Sequence, residues 1–125
     1  MASPRVLVVE DEADLVATYE RLLRRHGYRV VSAGSREAAL AALKAELPDL
    51  LISDLRLPDG DGLDVVRAAR ALPTPTLVIV VSGVASSESR DAALAAGASA
   101  VLAKPFSTEA FTKLIQSVLP PAVSS

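Results

Sequence analysis

Four short apolar runs and a weaker fifth recur along this chain, and in the strongest of them hydrophobic and polar residues do not alternate. The strong runs are Arg5 to Val9, Asp49 to Ser53, Thr76 to Val81 and Ala100 to Ala103; the weaker one is Tyr28 to Ser32. A strand with one wet face alternates, whereas one covered on both faces reads as a continuous apolar run, as in parallel sheets. Helix-period stretches lie between the runs. Leu15, Tyr19, Leu22 and Leu23 form one stripe, and Ala39, Leu40, Leu43 and Leu47 another. Leu63, Val66 and Arg70 form a third, Leu94 with its neighbouring alanines a fourth, and Phe111, Leu114, Ile115 and Val118 a fifth. His26-Gly27, Pro48, Pro73-Thr74-Pro75 and Gly97 mark boundaries. Five βα units in series predict an α/β fold: an open, doubly wound parallel sheet with helices on both faces.

The length of 125 residues suits one domain. We expect it to run from residue 1 to 120, with 121–125 a tail or the start of a linker after Pro120-Pro121. Aromatic residues make up 3% of the chain, so the core must be built from Val, Leu, Ile and Ala. A formal net charge of −2 supplies no long-range attraction to nucleic acid or an anionic membrane. The absence of cysteine excludes disulfides and thiolate chemistry. No apolar run approaches membrane-spanning length and the N-terminus lacks a signal-peptide layout, so the expected location is cytoplasmic.

Ligands of open α/β sheets bind beyond the carboxyl ends of the strands, so the residues just after each apolar run are informative. Glu10, Asp11 and Glu12 come after the first run and Asp54 after the third. Ser82 and Gly83 come after the fourth, and Lys104 and Pro105 after the fifth. The second run ends in Ser32-Ala33-Gly34 and adds nothing comparable, which suits an outer strand. Clustered carboxylates repel one another unless a cation joins them. With oxygen ligands alone, the natural cation is Mg²⁺. An aspartate can serve as nucleophile and form an acyl phosphate, a reaction that needs mainly positioning and charge neutralisation. Each of these residues alone has an ordinary structural explanation, as helix cap, turn or surface loop. Their placement, each at the end of its own run, is what singles them out.

The ordered set Glu10-Asp11, Asp54, Ser82 and Lys104-Pro105-Phe106 resembles the receiver domain of two-component response regulators, from Arg5 to about Leu119. The resemblance implies a flavodoxin-like fold with strand order 2-1-3-4-5. It implies that Asp54 accepts a phosphoryl group from a histidine kinase or histidine phosphotransfer protein. Asp11, Asp54 and the backbone carbonyl of Arg56 would hold Mg²⁺, with Glu10 acting through a coordinated water. Ser82, beside Gly83, and Lys104 would each bind a phosphoryl oxygen, the Lys104-Pro105 bond would be cis, and Leu57-Pro58 with Gly60 to Gly62 would shape the neighbouring loop. Neither nucleic acid nor membrane is an expected partner of the domain itself.

Two features depart from the family pattern, at three positions. An aromatic usual on the fifth strand is replaced by Val101. The charges through which one branch of the family dimerises are replaced by Ala100 and Leu114. Other readings of the same fold are distinguishable. A flavin-binding relative wants a phosphate-cradling loop after the first strand, where Glu10-Asp11-Glu12 would repel phosphate, and its protein would be coloured. An aspartate-based phosphatase wants a second acid where Arg56 stands, and would turn over phosphate esters. A docking-only receiver would lack part of the acid–hydroxyl–lysine set. His26, before Gly27, reads as a helix-end residue, and Arg21, Arg24 and Arg25 as a solvated face open to a docking partner.

Overall fold

The computed structural model describes residues 3–74, 76–83 and 86–120. Twelve elements succeed one another: β1 (Arg5–Val9), α1 (Ala13–Arg25), β2 (Arg29–Ala33), α2 (Arg36–Ala45), β3 (Leu50–Asp54), β4 (Arg56–Leu57), β5 (Gly60–Asp61), α3 (Gly62–Arg70), β6 (Leu77–Ser82), α4 (Ser87–Ala95), β7 (Ala100–Ala103) and α5 (Thr108–Val118). The main sheet has five parallel strands in the order β2-β1-β3-β6-β7, and β4 and β5 form a separate antiparallel ribbon. With that ribbon set aside, this is the flavodoxin-like order expected from the sequence, with the weak second run at one edge.

Successive residues of a strand point to opposite faces, so each central strand feeds two cores. Leu7, Val9, Leu51, Val78 and Val80 pack with Ala39 and Leu43 of α2, Val65, Val66 and Ala69 of α3, and Ala93 of α4. Val6, Val8, Leu50, Ile52, Ile79 and Val81 pack with Tyr19, Leu22 and Leu23 of α1 and with Phe111 and Ile115 of α5. Burial on both faces is what removed alternation from these runs. It also confines polar side chains on the central strands to their ends and to Ser53, whose buried hydroxyl donates to the Asp54 carbonyl. Ser35, Asp61, Ser86 and Ser107 each cap the next helix with a side-chain oxygen. After α1, Gly27 takes φ 91°, which lets the Tyr28 N–H return to the Leu23 carbonyl.

The boundaries differ from the sequence reading in an informative way. The second, third and fourth strands each lie one residue later than expected. Asp49 stands outside β3 because its carboxylate accepts the Arg5 N–H, at 2.8 Å. Thr76 stands outside β6, its buried hydroxyl donating to the Pro48 carbonyl at 2.9 Å. Asp54 and Ser82 are therefore the last residues of their strands, paired with Val81 and Ala103. Two helical stripes also need correction. In α3 the inward face is Val65, Val66 and Ala69, with Arg70 exposed, and in α4 it is Ala93, with Leu94 turned out one helical step later. Leu47 lies beyond the end of α2 and is exposed.

Gly62, the first residue of α3, lies against the backbone that carries Asp54. A Cβ there would sit 2.0 Å from the Asp54 carbonyl oxygen and 2.9 Å from the Leu55 Cα. Backbone cannot rotate aside as a side chain can. Gly62→Ala is expected to lower the unfolding free energy by about 1–3 kcal/mol, the usual cost of overpacking. Urea denaturation measures this, and a loss below about 0.5 kcal/mol, typical of a neutral surface change, would contradict the steric account.

Candidate functional site

The site begins where β1, β3, β6 and β7 end. Val9 pairs with Ser53, so one further step sets Glu10 beside Asp54. The Glu10 backbone N–H still donates to the Ala33 carbonyl, at 3.0 Å, which extends the sheet pairing by a residue and holds Glu10 inward. Its side chain is 2% exposed, the most buried acid of the group, while Asp11 is exposed and the Asp54 side chain is 12% exposed. Carboxylate oxygens of Glu10, Asp11 and Asp54 all lie within 4.8 Å of one another.

Lys104 comes directly after β7 and reaches into this group. Its backbone N–H donates to the Ser82 carbonyl at 2.8 Å, and the Lys104–Pro105 peptide bond is cis. Its ammonium donates to Glu10 Oε1 and to Asp54 Oδ2, both at 2.8 Å. The remaining oxygens are also engaged: Glu10 Oε2 accepts the Glu12 N–H at 3.2 Å, and Asp54 Oδ1 accepts the Arg56 N–H at 3.1 Å. Burial raises the Glu10 carboxyl above its ordinary pKa, against the hydrogen bonds from Lys104 and the Glu12 N–H. Burial by itself pulls the Lys104 ammonium down, but its bonds to Asp54 and Glu10 outweigh this and raise it.

Three carboxylates thus face one ammonium, which leaves the cluster short of positive charge. All the donors are oxygens, and one carboxylate is exposed to solvent. This is a donor set that fits a hard divalent cation which keeps part of its water shell. Among the described residues this is the group of acids close enough together to hold a metal ion.

Ser82 ends β6 opposite Ala103 and is 4% exposed. Gly83 comes next, at the surface, and a Cβ there would meet nothing within 4 Å. Val101 packs against the α2–α3–α4 core and lines a cavity of about 260 Å³ together with Leu55, Ser82, Ser89 and Ala103. On the other side of the sheet, the rings of Tyr19, Phe106 and Phe111 form a mutual cluster, with centroids 5.2–5.9 Å apart. The Tyr19 hydroxyl is buried with no hydrogen-bond partner in the described structure, and burial first, then Glu10 and Asp54, push its pKa far up.

The sequence reading placed Gly62 among the residues that shape the loop, but not the close approach to Asp54 that denies it a Cβ. It missed the bonds made by Asp59, which reach a segment distant along the chain. A turn aspartate after a proline has no local feature that marks it out. His26, by contrast, behaves as a helix-end residue, its Nδ1 lying 2.8 Å from the Leu22 carbonyl oxygen. Arg21, Arg24 and Arg25 are exposed, and Arg24 pairs with Glu20 one turn earlier.

The strand order and the acid–lysine rim together define a receiver-type regulatory module. The model of the response regulator receiver domain matches residues 6–116, and the chain belongs to that family, which serves two-component signalling. It is 42% identical over 106 residues to the transcriptional regulatory protein PrrA of Mycobacterium tuberculosis, covering 85% of this chain and 46% of that protein. It is 40% identical over 104 residues to the KDP operon transcriptional regulatory protein KdpE of Escherichia coli, covering 81% and 44%. The chain therefore spans about half the length of the curated relatives it matches. Among solved structures it resembles the chemotaxis protein CheY4 of Vibrio cholerae, with TM-score 0.86, 30% identity and coverage of 93% of this chain and 98% of that one. A CheY-like receiver domain protein from Methanospirillum hungatei gives TM-score 0.86 and 30% identity, covering 91% of each chain. No helix among the described residues is long and apolar enough to cross a membrane.

The raised pKa values predict how stability varies with pH in the metal-free protein. An acid whose folded pKa lies above its unfolded value holds its proton more tightly when folded. Glu10 thus adds stability below its ordinary value of 4.5 and loses that contribution as pH rises through the higher folded value. Lys104, also raised, keeps its contribution up to its ordinary 10.5 and loses it only beyond. The unfolding free energy of the wild type relative to Glu10→Gln should therefore fall as pH rises above 4.5. Urea titrations in chelator would show this, and a flat or rising difference would refute the assignment.

Proposed function

We propose that this receiver domain is a phosphoacceptor switch in which Asp54 takes a phosphoryl group from a histidine kinase or a histidine phosphotransfer protein, with Mg²⁺ as the required cation. The observation that carries the proposal is the Glu10–Lys104–Asp54 triad with Asp11 beside it. One Asp54 oxygen attacks phosphorus, forming the O–P bond. The P–N bond to the donor imidazole breaks, and its electron pair leaves with the ring nitrogen. Lys104, now bonded to Asp54 Oδ2, exchanges that oxygen for one on the arriving group, and Ser82 binds another. Asp11, Asp54 and the Arg56 carbonyl would hold the Mg²⁺, with Glu10 acting through a water; the cation, when bound, would supply charge neutralisation for the arriving phosphoryl group.

The role is regulatory, with phosphoryl transfer and slow self-dephosphorylation confined to the domain's own aspartate. We place the receiver domain at residues 1–120, in the cytoplasm. Residues 121–125, read as a tail, lie outside the described residues, as do Val84 and Ala85, between Gly83 and the Ser86 cap of α4. Output passes to a protein partner and not to nucleic acid directly, in keeping with the formal charge of −2. Val101 is short, β-branched and stiff at χ1. It cannot swing as an aromatic ring would, and the cavity of about 260 Å³ beside Ser82 leaves that space to the loop and α4. The signal therefore leaves through the Ser82 end of β6.

With a small-molecule phosphodonor and Mg²⁺, the intact mass should rise by one phosphoryl group, and Asp54→Ala should abolish the gain. Asp11→Ala should weaken Mg²⁺ binding and phosphorylation together. Wild-type phosphorylation of the Asp54 variant, or unchanged Mg²⁺ affinity in the Asp11 variant, would sink these assignments. The phosphorylated form should also remain free of ion-paired dimers on the α4–β7–α5 face, because Ala100 and Leu114 pack toward the core and carry no charge. Sedimentation with a phosphoryl mimic tests this, and a dimer mapped to that face would overturn it.

A further inference from the structure

The β4–β5 ribbon carries Arg56 at the mouth of the site, and strands of two residues have little stability of their own. Its position must come from anchors. At the base, the Gly62 N–H donates to the Leu55 carbonyl at 2.9 Å, and the missing Cβ of Gly62 permits the approach. At the near end, the Arg56 N–H is held by Asp54 Oδ1. The third anchor is at the tip. Asp59, in the turn between β4 and β5, places its carboxylate on the start of α2. Oδ1 accepts the Arg36 N–H at 2.6 Å and Oδ2 accepts the Glu37 N–H at 2.9 Å.

These two donors belong to the first turn of α2, whose N–H groups have no partner within the helix. They also lie at its positive end. Ser35 already caps α2 through the Ala38 N–H, so the helix has its own cap. The Asp59 bonds tie a different segment to it. The two N–H groups hold the Asp59 carboxyl below its ordinary range, that of Glu37 most strongly. A parallel tie joins Arg36 Nε to Asp64 Oδ2 of α3, at 2.9 Å.

We infer that Asp59 is a positioning residue for the metal site: by clamping the ribbon tip to α2, it holds the Arg56 carbonyl where the cation is bound. The inference rests on the reading of this site as metal-dependent. Without the clamp the ribbon keeps its base but loses its tip, and the carbonyl is spread over more positions. The three carboxylates are untouched, so the chemistry at saturating cation is preserved while affinity falls. Groups that orient a metal ligand commonly contribute tenfold or more to affinity.

The test compares the full chain as wild type, Asp59→Ala, Asp59→Asn and Ser35→Ala, the last weakening α2 without touching the ribbon. Phosphorylation by a small-molecule donor is followed against Mg²⁺ concentration. Asp59→Ala should raise the half-saturating Mg²⁺ about tenfold and leave the saturated rate near that of the wild type. Asp59→Asn, with one good acceptor left, should fall between. Ser35→Ala should lower thermal stability yet leave the half-saturating Mg²⁺ unchanged. In chelator, amide hydrogen exchange at Arg36 and Glu37 should be slow in the wild type and fast in Asp59→Ala. Equal Mg²⁺ dependence in wild type and Asp59→Ala overturns the inference alone, as does a Ser35→Ala effect as large as that of Asp59→Ala. A wild type whose phosphorylation ignores Mg²⁺ overturns the metal reading and this inference with it, while slow exchange at Arg36 and Glu37 would still identify the clamp as structural.

Discussion

Lys104 bonds two carboxylates at once, and the arrangement of the carboxyl edge depends on that contact. Glu10 is buried and Asp54 nearly so. Two ionised acids this close, out of water, repel each other and resist charging. One ammonium at 2.8 Å from an oxygen of each offsets both penalties. The bonds also link β1, β3 and the segment after β7, elements separated by 94 and 50 residues in the chain. A buried ion pair of this kind adds little net stability, because desolvation cancels most of the attraction. Its effect is to fix geometry: both carboxylates are held with their oxygens toward one point, while Asp11 completes the group from the solvent side.

That cluster is possible because of where the sheet allows polar groups. Strands β1, β3 and β6 are covered on both faces, so nothing polar can lie along them without a partner. Past their carboxyl ends the chain leaves the covered faces, and Asp11 and Gly83 are exposed there. Acids, hydroxyl and lysine therefore collect at one rim, and the short β4–β5 ribbon is left to close its side. The ribbon depends on Gly62 and Asp59 because of its size, since two residue pairs cannot hold a ribbon in place.

The departures at Val101, Ala100 and Leu114 act on a different part of the molecule. Val101 packs against one core, and Ala100 and Leu114 against the other. Val101 leaves open space beside Ser82 where a larger ring would fill it. Leu114 contributes apolar surface to the α1–α5 core instead of a charge to the outside.

Much of this was legible in the sequence because it depends on periodicity and on what ends each run. Unbroken apolar runs imply strands buried on both faces, and charged residues directly after them must lie at the carboxyl edge. Glu10, Asp11, Asp54, Ser82 and Lys104 were singled out in this way, and the structure brings the three carboxylates and Lys104 together. Strand ends were less legible: Asp49 and Thr76 look like strand residues until their bonds to Arg5 and Pro48 are seen. The inward face of α4 was misread because Ala93 and Leu94 are adjacent and only packing decides which is buried. Tertiary structure alone decided the rest. That Lys104 engages both acids, that Gly62 must lack a Cβ, and that Asp59 caps a helix begun 23 residues earlier all depend on how the chain folds back on itself. The sequence determines what each segment is; which atoms of different segments meet depends on the distances set when the two cores close around the sheet.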